Sequence, residues 1–343
     1  MNALVALLLI ASAPPLDFRA AASNSAEHRG VSFLAMQGGK VVYEEYPNGG
    51  DKERTWELAS GTKSFCGIAA LCAQEDGLLK LSDRVSDTLT EWKADGRRDI
   101  TISQLLHLVA GFPGTPIGRP ISYADTLAAK QNAKNNTRFQ YTSTSFQAFG
   151  ELLRRKLASK GQSVLDYYEA KIFKPLGMTH GRWLTDAAGN IQLPMGASLS
   201  AREWIKFGEM VRRGDKGVLR PGNITPLFQT TTLNPSYALT WWYPSAQGLQ
   251  PSGLAKWDWS TKLPKDVYIA AGLGGQRLYV VPSLNLTIVR QAPVRVIDQF
   301  RDREFFEALM GRSVSSGESN RRAGSTRRGR ANARLERRLL APQ

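Results

Sequence analysis

The order of periodic segments constrains the fold of this chain more than any single motif does. Short β-branched or aromatic runs occur near both ends of the sequence, at 31–37, 40–46, 237–243, 267–271, 277–281 and 286–290. Between these runs, from about residue 60 to 189, apolar residues recur mostly at helical spacing, and a last helix is predicted over 299–310. This order predicts an α/β (α+β) fold. Its antiparallel sheet is built from both chain ends, about 30–59 and 190–311, and is flanked by helices, with a mostly helical domain inserted.

Ser60 and Lys63 lie where the first strands give way to the helical region, just before the apolar run from Cys66 to Ala73. Two residues three apart in a helix project from the same face. A serine hydroxyl needs a nearby base to act as a nucleophile, and burial lowers the pKa of a lysine enough to make it one. The ordinary alternative is a serine that caps a helix and a lysine that is solvated. The rest of the sequence has to decide between the two.

Two further stretches can complete such a site. Tyr141 precedes a helix predicted to begin near Phe149, and a tyrosine hydroxyl there can relay a proton between Ser60 and its surroundings. The alternative is a half-buried tyrosine in a loop. The second stretch is glycine-rich, 271–277, where the backbone N–H of Gln276 can donate to an oxyanion. Its alternative is a β-bulge or an ordinary tight turn.

Charge is concentrated at the C-terminus. The chain carries a net charge of +15, of which residues 312–343 supply +7 through nine Arg and two Glu, so the body is only moderately basic. Segment 312–343 is rich in Ser, Arg, Gly and Ala, which predicts a basic disordered tail. It can hold an anionic polymer or membrane surface, but it has no interleaved aromatic residues, so no nucleic-acid partner is expected.

Cysteine and histidine usage excludes several site classes. Cys66 and Cys72 are predicted to be small buried hydrophobes on different faces of one helix. The three histidines are widely scattered and show no zinc-ligand spacing. No Gly-x-Ser-x-Gly elbow occurs, which argues against the hydrolase fold that uses it. No metal and no cofactor is expected.

The N-terminus has the features of a weak secretory signal. Residues 1–22 contain a nine-residue apolar core, Ala3 to Ala11, and small residues suited to cleavage at 11–13 or 20–22. No Lys or Arg precedes the core, and the run is too short to span a membrane. The expectation is a periplasmic or secreted protein whose hydrolase domain covers 23–311, with a cytoplasmic protein as the alternative.

Five motifs in order give the chain a definite resemblance. They are Ser60-Gly61-Thr62-Lys63-Ser64-Phe65, Gln104-Leu105-Leu106-His107, Phe139-Gln140-Tyr141-Thr142-Ser143, Ser200-Ala201-Arg202-Glu203-Trp204 and Gly274-Gly275-Gln276 with Val281-Pro282. Over about residues 30 to 310 the chain resembles the β-lactamase-related serine hydrolases. That family includes class C β-lactamases, D-Ala-D-Ala peptidases, esterases and aminohexanoate-oligomer hydrolases. The chain looks closest to the esterase and oligomer-hydrolase branch, and the resemblance implies a β-lactamase/transpeptidase-like fold.

The resemblance also implies a role for each matched residue. Ser60 is the expected acylated nucleophile, Lys63 its base, and Tyr141 the group that carries a proton to the leaving group. Ser143 takes the place of the Asn in the usual Tyr-x-Asn and is expected to orient substrate or Lys63. The backbone N–H groups of Ser60 and Gln276 are the expected oxyanion hole.

Two departures from the family pattern affect the expected substrate. The third motif of β-lactamases has Lys before its small residue and Gly, whereas here the stretch is Leu273-Gly274-Gly275. Arg277 lies just beyond, and its strand position leaves the direction of its side chain open. Without that cation, and without the Asn, a β-lactam or peptide carboxylate has no evident partner.

The sequence therefore predicts an acyl-serine hydrolase of a small-molecule carboxylic ester or amide. Some of its aromatic residues are expected to line the cleft, while core packing is the expectation for any single one of them: Tyr237, Trp241, Trp242, Trp257 and Trp259. The competing functions are a cell-wall D-Ala-D-Ala peptidase or β-lactamase, and a catalytically silent binding protein of the same fold. The oligomeric state is left open.

Overall fold

A computed structural model of the chain describes residues 15–116, 118–214, 217–245, 263–294 and 300–311. The strands are β1 (Ser32–Gln37), β2 (Lys40–Glu45), β3 (Trp56–Glu57), β4 (Ser198–Leu199), β5 (Thr230–Thr231), β6 (Asn234–Ala238), β7 (Tyr268–Gly272), β8 (Gln276–Val281) and β9 (Leu286–Gln291). Five of them form an antiparallel sheet in the order β2-β1-β9-β8-β7. Strands from the two ends of the chain thus meet at the β1–β9 pair, as predicted.

The helices are α1 (Phe18–Glu27), α2 (Ser64–Glu75), α3 (Ile102–Leu106), α4 (Tyr123–Thr126), α5 (Thr144–Leu157), α6 (Val164–Tyr168), α7 (Ala201–Arg213) and α8 (Asp302–Leu309). Those from α2 to α6 form the inserted helical region. Thr101 precedes α3 and forms a capping box with Gln104. Gly214 ends α7 in the left-handed conformation that glycine adopts readily.

Helices cover both faces of the central sheet. Leu278 and Tyr279 are neighbours on β8 and therefore point to opposite faces. On one face, Gly208 of α7 approaches Leu278 so closely that a Cβ there would lie 2.5 Å from its side chain. On the other face, Tyr279 stacks on Phe305 of α8, with ring centroids 5.3 Å apart. Because both faces are covered, every residue of β8 and β9 is buried.

Helix α2 is the most deeply enclosed helix of the inserted region. All its residues from Ser64 to Ala73 are buried, which suits a helix that is apolar on every side. Phe65 stacks on Phe207 of α7 with ring centroids 4.1 Å apart, so this helix joins the insert to the sheet layer. Cys66 and Cys72 are buried and unbridged, which confirms the prediction for both.

Several boundaries differ from those predicted. Helix α5 begins at Thr144, five residues before Phe149, directly after the Tyr141 loop. Within the region of helical spacing, α6 ends at Tyr168 and the chain continues as a π-helical turn, Glu169–Phe173. The strand predicted at 237–243 ends at Ala238, and Trp242 then makes single bridges to Tyr237 and Ile269.

Helix α1 extends the folded domain beyond its predicted start. Ala21 and Ala22 are buried, and the N–H of Asp17 donates to the carbonyl of Leu309 at 2.7 Å. A domain start at residue 23 therefore falls inside a packed helix, and cleavage at 20–22 would cut that helix. Residues 1–14 and 312–343 lie outside the described residues, so the leader and the basic tail stay predictions. Within the described ranges, no helix is long and apolar enough to cross a membrane.

The packing of α1 can be tested with two substitutions that introduce the same side chain. Ala21→Glu places a carboxylate at a fully buried position, and we expect it to lower the free energy of unfolding by roughly 3 kcal/mol or more. Ser23→Glu places the same carboxylate at an exposed position of the same helix and should stay within about 0.5 kcal/mol of wild type. Urea unfolding measures both. Equal effects would show that α1 is not packed on the domain.

Candidate active site

Ser60 lies in a 3₁₀ turn, Ala59–Lys63, that leads directly into α2. Ala59 has φ of +46°, an uncommon conformation for a residue with a side chain, and it redirects the chain from β3 into this turn. The turn places Ser60 and Lys63 on one side, with Lys63 Nζ 2.9 Å from Ser60 Oγ. The two side chains singled out by their spacing are thus in hydrogen-bond contact.

Close backbone contacts hold this turn in place. A Cβ at Gly61 would lie 3.0 Å from the Trp204 ring of α7, so a larger residue there would meet that ring. From the sheet side, a Cβ at Gly272, the last residue of β7, would lie 2.1 Å from the carbonyl oxygen of Leu58 and 3.1 Å from the N–H nitrogen of Gly61. Gly272 therefore allows β7 to reach the turn that carries the candidate nucleophile Ser60, Ala59–Lys63, which we call the nucleophile turn.

Lys63 is buried without a counter-ion among the described residues. Besides Ser60 Oγ, its Nζ contacts the carbonyl oxygen of Pro194 at 2.8 Å. The side chain is 4% exposed, and burial lowers the pKa of its amine to about 7. An amine with this pKa is neutral in about half of the molecules at pH 7, so Lys63 can accept a proton there.

Tyr141 lies against this pair from the helical side. Its ring centroid is 4.9 Å from Lys63 Nζ, and 37% of the residue is exposed. Desolvation of the phenol raises its pKa to about 12. Contacts with Ser60 and Trp242 and the charge of Arg277 act in the other direction and lower this pKa. The phenol is therefore protonated at neutral pH and can donate a proton.

An aromatic cluster packs against the Tyr141 ring. Its ring lies 5.4 Å from that of Trp242 and 6.3 Å from that of Tyr237, and Phe139 contacts both of these. Trp242 and Tyr237 are 5% and 1% exposed, so they form the wall behind Tyr141 rather than an open surface.

Trp241 belongs to the core, which is the placement expected for any single one of these aromatic residues. It is fully buried and stacks on Phe207 of α7 at 6.0 Å, because consecutive residues here point to opposite sides. Trp257 and Trp259 lie outside the described residues, so their predicted place in the cleft stays a prediction.

Ser143 lies two residues after Tyr141, at the N-terminus of α5. Its N–H donates to Thr115 Oγ1 at 3.0 Å, and its hydroxyl does not cap the helix. Among the described residues this hydroxyl contacts neither Lys63 nor Ser60 by a hydrogen bond. It remains available to a substrate.

The glycine-rich stretch forms the connection between β7 and β8. Gly274 and Gly275 both have positive φ, which glycine adopts without strain. Gln276 begins β8 opposite Gly272, and its side chain is buried and donates to the carbonyl of Ala292. The connection is therefore a tight turn beside the nucleophile, with Leu273 49% exposed.

The guanidinium of Arg277 does not face the cleft. Its guanidinium donates to both carboxylate oxygens of Asp302, at 2.7 and 3.0 Å, and the two side chains are 4% and 0% exposed. Of the two directions left open by its strand position, the side chain takes the one toward α8. The third motif therefore presents no cation to a substrate carboxylate through this residue.

Comparisons with known proteins identify the family of the chain. A sequence model described as Beta-lactamase matches residues 18–292, most of the chain. The chain belongs to the Beta-lactamase family, a family of serine hydrolases. Protein flp of Staphylococcus aureus is 28% identical over 177 residues, which cover 44% of this chain and 34% of that protein. The chain thus matches only about a third of the length of this curated relative.

Solved structures show the same fold. The hydrolase EstCE1, which has promiscuous acyltransferase activity, superposes with a TM-score of 0.68 at 18% identity, covering 86% of this chain and 99% of that one. A class C β-lactamase from Rhodobacter sphaeroides gives a TM-score of 0.64 at 18% identity, covering 85% and 99%. These likenesses confirm the predicted α+β architecture.

Two groups at the site were not singled out from the sequence. The Pro194 carbonyl and the Phe146 ring, 5.5 Å from Lys63 Nζ, reach the site only through tertiary packing, and no local pattern marks them. Gly272 was noted among three glycines that allow close approach. The group that approaches it is the nucleophile turn, in addition to any ligand.

The burial of Lys63 predicts a pH-dependent stability. Between pH 7 and 10.5 the unfolded chain keeps this amine protonated while the folded protein holds it neutral, so wild-type stability rises with pH across this window. Lys63→Met removes the cost of deprotonation. We expect it to be more stable than wild type at pH 7, by up to about 5 kcal/mol, with a gain that shrinks toward pH 10.

Urea unfolding of wild type and Lys63→Met at several pH values measures this difference. Ser60→Ala is the matched control, since it keeps the buried lysine and should keep the wild-type slope. A gain for Lys63→Met that is the same at pH 7 and pH 10 would contradict the lowered pKa.

Proposed function

We propose that the protein is an acyl-serine hydrolase that cleaves an uncharged carboxylic ester or a non-peptide amide. The observation that carries this proposal is the 2.9 Å contact between Ser60 Oγ and the Nζ of a buried Lys63 whose pKa is about 7. A neutral amine at this distance is placed to remove the serine proton.

The proposed reaction has two halves. Neutral Lys63 takes the proton of Ser60 as Oγ attacks the substrate carbonyl, and the resulting oxyanion is held by backbone N–H groups of Ser60 and of the β7–β8 turn. Collapse breaks the bond to the alcohol or amine, which leaves with a proton from Tyr141. Lys63 passes the proton it took from Ser60 to the Tyr141 phenolate, which restores both groups. Water then attacks the acyl-Ser60 ester and gives a proton to Lys63, with help from Tyr141, and this proton returns to Ser60 Oγ as the acid is released.

The surface beside Ser60 favours an uncharged acyl group. Large hydrophobic residues that are exposed are few in the described part of the chain, and two of them, Leu273 and Tyr141, flank this site. Arg277, the cation nearest in sequence to the third motif, is paired with Asp302. An apolar substrate gains from covering Leu273 and Tyr141, whereas a carboxylate finds no direct partner in Arg277.

The first experiment is intact-protein mass spectrometry after exposure to p-nitrophenyl butyrate, a fluorophosphonate and nitrocefin. We expect a covalent adduct on wild type and none on Ser60→Ala, whose ester turnover should fall by at least about a thousandfold. Ser163→Ala, which removes a capping serine of α6 far along the chain, is the control and should keep adduct and turnover. A folded wild type that forms no adduct with any probe would overturn the hydrolase proposal and leave a catalytically silent binding protein as the remaining function.

Nitrocefin discriminates between the hydrolase classes. Ester turnover with little nitrocefin hydrolysis supports the esterase or amidase proposal. Rapid nitrocefin turnover would instead put the β-lactamase and cell-wall functions first, and would show that a substrate carboxylate is accommodated without Arg277.

Tyr141 gives a second test, based on the leaving group. If its phenol protonates the departing atom, Tyr141→Phe should slow an alkyl ester or amide by roughly 10²- to 10⁴-fold. A p-nitrophenyl ester, whose leaving group departs without a proton, should be slowed much less. Parallel assays of the two substrates on one preparation of each protein measure how the rate losses compare. Equal losses on both would assign Tyr141 to packing or to deacylation instead.

A further inference from the structure

Two buried arginines lie behind the β7–β8 turn and hold its carbonyl groups. Arg277 Nη1 donates to the carbonyls of Gly272 and Gln276, at 3.3 and 3.0 Å. Arg290 Nη1 donates to those of Gly274 and Gly275, at 3.2 and 2.8 Å. Four of the five carbonyls from 272 to 276 are therefore bound by guanidinium groups, each from a residue that is at most 3% exposed.

The arginines are themselves fixed by other parts of the fold. Arg277 forms the two-pronged pair with Asp302 of α8, and Tyr279 Oη donates to the same carboxylate at 2.7 Å. Arg290 donates through Nη2 to the carbonyl of His28, which follows α1. The turn beside the nucleophile is thus tied to both terminal helices.

Phe300 links the two guanidinium groups. Its ring centre is 4.1 Å from Cζ of Arg290 and 5.7 Å from Cζ of Arg277. A flat guanidinium over an aromatic face is an attractive and orienting contact. We call Arg277, Arg290 and Phe300 the arginine clamp.

We propose that the arginine clamp positions the oxyanion-binding amides of the β7–β8 turn, so that Arg277 and Arg290 are positioning residues for catalysis. This inference rests on the proposed hydrolase function. It goes beyond it because neither arginine reaches the cleft or touches a substrate.

The argument follows from peptide geometry. In a trans peptide the C=O and N–H bonds point in opposite directions. Drawing the carbonyls of Gly272 and Gly275 toward the arginines turns the N–H groups of Leu273 and Gln276 away from them. Gly272 is also the residue that touches the nucleophile turn, so these amides belong to the backbone beside Ser60. A carbonyl bound by a guanidinium also polarises its peptide, which makes the attached N–H a better donor.

Electrostatics gives independent support. The charge of Arg277 acts on the Tyr141 phenol, where it favours the ionised form. Its field therefore reaches the active site although the side chain is buried. The same field favours an oxyanion that develops beside the turn.

The test compares Arg290→Lys and Arg277→Lys with Arg212→Lys. Arg212 is a largely enclosed arginine, its side chain 9% exposed, that is paired with Glu209 on α7 at 2.8 Å and lies outside the turn, which makes it the control. Each Lys variant keeps the charge but loses the fork that reaches two carbonyls. We expect kcat for an ester to fall roughly 10- to 100-fold in both clamp variants, with KM within about threefold of wild type, and no such loss in Arg212→Lys.

Binding of a boronic acid distinguishes the loss of positioned oxyanion-binding amides from a general loss of rigidity in the fold. A boronate on Ser60 is tetrahedral and places an oxygen where the oxyanion forms, so its Kd should weaken by about the factor by which kcat/KM falls. All values are normalised to folded protein by circular dichroism. Phe300→Leu keeps both arginines and is the milder variant should the Lys variants fold poorly, and we expect a severalfold loss in kcat from it.

The outcomes are distinguishable. Clamp variants, including Phe300→Leu, with wild-type kcat and boronate affinity per folded molecule would overturn the clamp proposal and leave the arginines as structural residues. Losses equal to that of Arg212→Lys would do the same. A wild type that forms no Ser60 adduct would instead overturn the proposed function itself.

Discussion

The site depends on one constraint, an amine buried without a carboxylate partner among the described residues. Within the part of the chain that the structure describes, Lys63 Nζ forms hydrogen bonds with two oxygen atoms, Ser60 Oγ and the Pro194 carbonyl, and neither carries a formal charge. In such surroundings the neutral amine is favoured, because the charged form loses its hydration and gains no counter-ion. The lowered pKa is therefore a property of the whole enclosure, and it is what makes a lysine useful as a base at neutral pH.

The topology of the chain supplies that enclosure. The nucleophile turn and α2 form one wall, and the segment before β4 returns to place the Pro194 carbonyl on the amine. The helical insert adds Tyr141 and Phe146 from the other side. The sheet, assembled from both chain ends, brings Gly272 against the turn. Since each wall comes from a different part of the sequence, the pKa of Lys63 depends on the docking of the insert onto the sheet, and a mutation far from Ser60 can change it.

Local sequence patterns were enough to predict part of the fold and of the site, and the remainder depends on long-range packing. The spacing of Ser60 and Lys63 and the alternating runs at both chain ends are local signals, and the structure contains both features. The start of α5 was missed because Thr144 to Gln147 resemble a polar loop, yet all four are buried against neighbouring elements. Which of the aromatic residues face the cleft could not be read from the sequence, because composition does not encode the direction of a side chain, and Trp241 is in the core. The Pro194 carbonyl could not be found at all, since a backbone group carries no residue signature and its position depends on tertiary contacts.

The arginine clamp offers a reason why this chain can lack the cation of the third motif. A lysine that faces the cleft attracts a substrate carboxylate in the ground state and in the transition state alike, and such uniform binding does not raise kcat. A guanidinium placed behind the backbone cannot pair with that carboxylate, but its field and its hold on the peptide still act where the oxyanion develops. A cation behind the backbone, in place of one in the cleft, therefore does not recognise an anionic substrate but still stabilises the transition state. That exchange favours an uncharged ester or amide, in agreement with the apolar Leu273 at the cleft.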